Sequence, residues 1–165
     1  MSDKITKELA RTPAPFVLLG VGIPGSGKTT VLSSVAEDLQ IKRICPDEIR
    51  EELTGTADNQ SVNSEAWSIT YARAREELHN GKSVIVDATH VEAHRRMTAT
   101  KQYREWGATS VLAALFMVGI ETAKHRNVSR ERVVPEHAVV RMHRMLQLNP
   151  PSEKEGFDKI LYIDE

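Results

Sequence analysis

Cysteine is almost absent from this chain: Cys45 is the only one. A disulfide scaffold and a cysteine zinc site are excluded, and the usage fits a reducing compartment. Aromatic residues are scarce, at 5%. They do not alternate with basic residues, so no stacking platform for long single strands is visible. Long apolar runs are missing too. The longest, Val111–Ile120, falls short of the roughly 18–20 residues a membrane span needs and reads as a buried strand entering a turn. Neither sign of charge dominates: the formal net charge is −1, which argues against bulk adhesion to nucleic acid. The six histidines show no metal-ligand spacing. Residues 1–13 are polar and charged, with neither a secretory apolar stretch nor an acid-poor transit pattern, so the expected location is cytoplasmic.

What is present is a globular composition. The 165 residues are 40% hydrophobic and 27% charged, enough for one domain with a real core. Charge is unevenly placed. Residues 95–144 carry 10 basic and 4 acidic side chains, whereas residues 1–94 carry 10 and 14. A basic block on a near-neutral chain suggests a local anion site, with a solvated helix face as the plainer alternative.

Apolar runs alternate with helical patterns. Phe16–Val21, Lys42–Cys45, Ser83–Asp87, Ser110–Val118 and Asp158–Ile163 read as strands. Thr29–Leu39, Asp47–Leu53, Glu65–His79, Glu92–Trp106, Thr122–Ser129 and Glu136–Leu148 read as helices. In the third of these, Trp67, Tyr71, Ala74 and Leu78 share one face. Residues 1–13 read as a flexible N-terminal tail, and residues 14–165 as one domain. Strand–helix alternation predicts an α/β fold with a parallel sheet covered on both faces.

Gly22-Ile23-Pro24-Gly25-Ser26-Gly27-Lys28-Thr29 matches G-x-x-x-x-G-K-[ST] between a strand and a helix, and Thr30 follows it. The glycines let successive N–H groups turn inward around phosphate oxygens, and the helix N-terminus adds positive potential. Lys28 can reach the β- and γ-phosphates, and the Thr29 hydroxyl can ligate Mg²⁺. These residues point to ATP and Mg²⁺. Asp87 ends an apolar strand, where such proteins commonly orient the metal; capping of the next helix is the alternative.

No Asn-Lys-x-Asp segment reads guanine, so a small kinase is favoured over a GTPase. Such an enzyme needs a group to take the acceptor proton and cations for the transferring phosphate. Asp47 and Arg50, at i and i+3, can supply the first, with Asp47 accepting the proton and Arg50 gripping an anionic group on the acceptor. A surface ion pair is the plainer reading of the same spacing. Arg126 and Arg130 are four apart and read as one face of a lid at about 122–135, closing on the triphosphate. Arg132 falls beyond that helix. His90, just after Asp87, is expected to line the pocket.

Over residues 14–163 the chain resembles the polynucleotide 5′-hydroxyl kinases. GIPGSGKTT (22–30), PDEIR (46–50), IVDATH (85–90), HRNVSR (125–130), VVP (133–135) and PPSEKEGF (150–157) carry the resemblance. It implies a P-loop kinase fold with a five-stranded sheet in the order 2-3-1-4-5. It also implies Asp47 as general base on a 5′-OH, Arg50 on a substrate phosphate, and Arg126 and Arg130 as lid arginines on ATP. Nucleic-acid 5′-OH ends are the implied partner, and no membrane is. Many relatives have Asn where His90 stands. Related kinases with the same Asp and lid act on small metabolites or on hydroxymethylated bases, so another acceptor hydroxyl is the alternative.

Overall fold

The computed structural model describes residues 1–164. In chain order the elements are α1 (Ser2–Leu9), β1 (Phe16–Val21), α2 (Lys28–Leu39), β2 (Lys42–Ile44), α3 (Pro46–Thr54), α4 (Asn63–His79), β3 (Val84–Asp87), α5 (Ala93–Glu105), β4 (Ser110–Phe116), α6 (Ile120–Val128), α7 (Glu136–Leu148) and β5 (Lys159–Ile163). Short 3₁₀ turns lie at Gln60–Val62 and Glu153–Glu155.

The five strands form one parallel sheet in the order β2-β3-β1-β4-β5, as expected. The interior strands β1, β3 and β4 are buried along their whole length, which is why each reads as an unbroken apolar run. The edge strands β2 and β5 keep exposed positions. Alternation along β1 divides the core into two layers. Val17, Leu19 and Val21 face a cluster with Ala66, Ala74 and Leu78 of α4 and Ala99 and Tyr103 of α5. Leu18 faces the opposite cluster, with Leu32 and Val35 of α2. A third, smaller cluster joins Ile23 to Ala123 of α6 and Val139 of α7.

The N-terminus departs from expectation. Residues 1–13 contain a helix rather than forming a tail. Ile5 and Leu9, one turn apart, are 0% and 2% exposed and enter the cluster of Leu18 and Leu32. Lys4 Nζ donates to the Tyr162 carbonyl at 2.7 Å, tying α1 to β5.

The remaining helices begin and end within three residues of their expected bounds. In α4 the buried stripe is Ala66, Thr70, Ala74 and Leu78. Trp67 and Tyr71 therefore flank the stripe, half-buried, instead of filling it. Helix α6 stops at Val128, so Arg130 lies past its end and shares no helical face with Arg126. The expected lid at 122–135 is thus part helix and part irregular segment. Among the described residues, no helix is long and apolar enough to cross a membrane.

Candidate active site

The C-terminal ends of β1, β2 and β3 surround one cavity of about 1110 Å³, the usual ligand position in an open α/β sheet. Lys28, Thr29, Asp47, Arg50, Asp87, His90 and Arg130 all line it. Residues from four separate segments of sequence therefore converge, whereas Arg126 is not among the lining residues.

The phosphate cradle begins where β1 ends. Gly25 and Gly27 both have φ +84°, a left-handed conformation that turns successive N–H groups toward a common centre. A Cβ on Gly25 would run into the Ala123 carbonyl of α6, so the loop and that helix abut. The guanidinium of Arg126 lies 4.0 Å from the place a Gly27 Cβ would occupy, over the cradle. Gly22 N–H donates to Thr89 O at 3.0 Å, which fastens the loop to the segment after β3. Ser26 Oγ is buried and lacks a hydrogen-bond partner among the described residues. An orphan hydroxyl inside an N–H cradle fits a phosphate oxygen. Burial lowers the pKa of Lys28, while Asp87 opposes the shift. A polyanion restores the charged form of such a lysine.

Thr29 is exposed at the first turn of α2, and Asp87 is 2% exposed at the end of β3. Arg43, from β2, donates to Asp87 Oδ2 at 2.8 Å and also pairs with Glu48. Asp87 Oδ2 is thus engaged by Arg43, and the residue lines the cavity. Among the described residues no cluster of three acidic, histidine or cysteine side chains could hold a resident metal. One hydroxyl and one carboxylate fit Mg²⁺ arriving with triphosphate, since that ion keeps most of its waters and takes few protein ligands.

Across the cavity, α3 starts at Pro46 after Cys45, so Asp47 stands in the first turn rather than at the N-cap. Asp47 Oδ1 pairs with Arg50 and Asp47 Oδ2 with Arg132. Arg50 is 6% exposed, and burial lowers its pKa, with Arg132 adding to the effect. Its guanidinium also donates to Asn63 Oδ1 at 2.7 Å and Ala57 O at 3.1 Å. Arg132 Nε donates to Asp58 Oδ1 at 2.6 Å. Asp47 and Arg50 are thus the core of a four-member charged network. Arg132 and Asp58 were not expected in it, because they lie 74 residues apart in sequence.

His90 is 9% exposed at φ +46°. Its Nδ1–H donates to Gly20 O at 2.6 Å, and Nε2 has no partner among the described residues. Burial pushes its pKa down to about 4. Behind it, Arg96 is fully buried. Arg96 donates to Glu155 through two bonds of 2.7 and 2.8 Å, to His90 O at 2.8 Å and to Asn149 O at 2.7 Å. This clamp fixes the His90 backbone and was not legible in the sequence. His94, His125 and His137 are exposed.

The fold has close likenesses among solved structures. A chain of the Pnkp1/Rnl/Hen1 RNA repair complex superposes with a TM-score of 0.73 at 22% identity, over 90% of this chain and 48% of that one. This chain therefore spans about half the length of that relative. A gluconokinase from Sinorhizobium meliloti matches at TM-score 0.59 and 19% identity, over 93% of this chain and 84% of the other. Shikimate kinase from Acinetobacter baumannii matches at 0.56 and 17%, over 97% and 88%. At these identities the likeness is one of fold alone, the fold of P-loop kinases. The AAA domain family matches residues 17–149, which include the cradle, Asp47, Asp87 and the arginines over the cavity, and with most of its length so covered the chain belongs to that family.

Proposed function

We propose that this protein is an ATP-dependent kinase that transfers the γ-phosphate to the 5′-OH end of DNA or RNA. The observation that carries the reading is that the Asp47–Arg50–Arg132 network and Lys28 line one cavity. It provides a carboxylate to take the acceptor proton, and cations both for an acceptor phosphate and for the transferring group.

The acceptor oxygen attacks the γ-phosphorus, the bond to the β-bridging oxygen breaks, and ADP leaves. Asp47 receives the hydroxyl proton. Lys28 and the cradle hold the β- and γ-phosphates, and Arg126 and Arg130 meet the charge that develops during transfer. Thr29 and Asp87 would hold Mg²⁺, which supplies charge neutralisation at the phosphates. Arg50, already fixed by Asn63 and Ala57, offers its remaining hydrogen-bonding capacity to a phosphate on the acceptor.

A second reading has its own support. The gluconokinase and shikimate kinase likenesses run over most of both chains, so a small hydroxylated metabolite is the rival acceptor. Incubation with γ-labelled ATP and Mg²⁺, offering 5′-OH oligonucleotides beside nucleosides and sugars, separates the two. Label on the oligonucleotide is expected, and Asp47→Asn should lower transfer by about 10²–10⁴-fold while ATP binding persists. Label on a sugar alone, or an undiminished Asp47→Asn enzyme, would refute the assignment.

A further inference from the structure

The cavity is larger than phosphate transfer to a small hydroxyl requires. Of the P-loop only Pro24, Lys28 and Thr29 line it, and much of the rest of its lining comes from α3, α4 and the start of α5. Its volume of about 1110 Å³ matches or exceeds the roughly 300–1,000 Å³ of sites that enclose whole drug-sized molecules.

Its far wall is built from α4 and the start of α5. Trp67 and Tyr71 lie one turn apart, with ring centroids 5.6 Å apart, and both line the cavity. The core stripe beside them is made of small residues, Ala66, Thr70 and Ala74. The large rings are thus kept at the cavity while small side chains fill the helix contact. Trp67 is braced from behind by the His90 imidazole, at 5.8 Å and 68°. Tyr71 is braced by Tyr103 and Trp106, each at 6.1 Å. In a chain with only eight aromatic residues, five rings counting His90 therefore form one continuous cluster of tilted and edge-to-face contacts, with Trp67, Tyr71 and His90 at the cavity. Arg95 stands at the rim, close enough to act electrostatically on the Tyr71 hydroxyl. Its partner Glu92 is an exposed i, i+3 neighbour, a weak restraint. Ser64 and Ser68 add hydroxyls along the same wall.

We propose that Trp67 and Tyr71 form a stacking subsite for a nucleobase near the reacting 5′ end, with Arg95 beside it for the adjoining phosphate. This rests on the polynucleotide reading and assigns the terminal bases a place of their own. A ring surface with polar edges is sequence-tolerant, because every base has a π-face. A monosaccharide anchored at Asp47 would leave this wall in contact with water.

The test compares 5′-OH oligonucleotides that carry all bases with otherwise identical ones made abasic at the first two positions. Phosphates, and hence charge, are unchanged between them. Wild-type protein is expected to favour the base-bearing end by at least about tenfold in kcat/KM, and Trp67→Ala to lose that preference. Trp67→Phe should retain most of it, and ATP binding by all three proteins reports that the fold is intact. Equal use of both ends by wild type, or a preference that survives Trp67→Ala, overturns the inference and leaves the kinase reading standing. If wild type phosphorylates neither end, the polynucleotide reading itself falls and the subsite falls with it.

Discussion

His90 is the residue whose chemistry is most altered by its surroundings. Its ring is enclosed by the sheet and Trp67, and burial brings its pKa to about 4 from an ordinary 6.5. The unfolded chain therefore binds this proton at higher pH than the folded one does. The sign follows: stability is greatest above about pH 6.5, declines as the pH falls, and the whole contribution is gone below about pH 4. The full effect is about 3 kcal/mol. His90→Asn tolerates the left-handed backbone and can still donate to Gly20 O, yet it has no proton to gain. Chemical denaturation at pH 7 and pH 4.5 should show a smaller acid loss in His90→Asn than in wild type. Equal losses would mean that the ring is accessible to protons. The same enclosure disfavours the charged ring at neutral pH, where Nε2 is an acceptor in the cavity wall.

At the scale of elements, legibility followed burial. β1, β3 and β4 are covered on both faces, so each was a plain apolar run. The P-loop was equally plain, because its chemistry is contiguous in sequence. Helix α1 was hidden. Only Ile5 and Leu9 of its eight residues are buried, and two apolar positions among charges do not mark a helix. Its docking has a measurable consequence. Leu9→Ala removes a side chain that is 2% exposed and should destabilise the protein by about 2–5 kcal/mol, read as a shift of the denaturant midpoint. A change under about 0.5 kcal/mol, the range of ordinary surface substitutions, would mean that α1 does not dock in solution. The charged pairs were illegible for another reason. Arg43–Asp87, Arg132–Asp58 and Arg96–Glu155 join residues 44, 74 and 59 apart, and no local period reports such contacts. Trp67 and Tyr71 show the limit of periodicity itself. Their spacing matched a core face together with Ala74 and Leu78, which are on the true stripe, but its first half runs through Ala66 and Thr70 and leaves the two rings at the cavity.

For the whole molecule, the parallel sheet gathers charge that the chain disperses. Overall charge is close to neutral, yet Lys28, Arg50, Arg130, Arg132 and Arg141 all border one cavity. An acceptor held through several phosphates should therefore show a KM that rises with ionic strength. Measured from low to physiological salt, a flat profile for the best acceptor would favour a small neutral metabolite.

The abutment of Gly25 on Ala123 has a mechanical meaning. Helix α6 cannot swing away from the P-loop without separating that contact, and Ile23, Ala123 and Val139 weld the same corner from beneath. Arg126 is consequently carried on a helix packed directly against the cradle. The strip after Val128, which carries Arg130 and Arg132, is held instead by the Asn127–Val134 hydrogen bonds and by the pairing of Arg132 with Asp47 and Asp58. The two arginines of the Arg-x-x-x-Arg motif are therefore mounted differently: Arg126 on a helix seated against the cradle, Arg130 on the irregular strip beyond it.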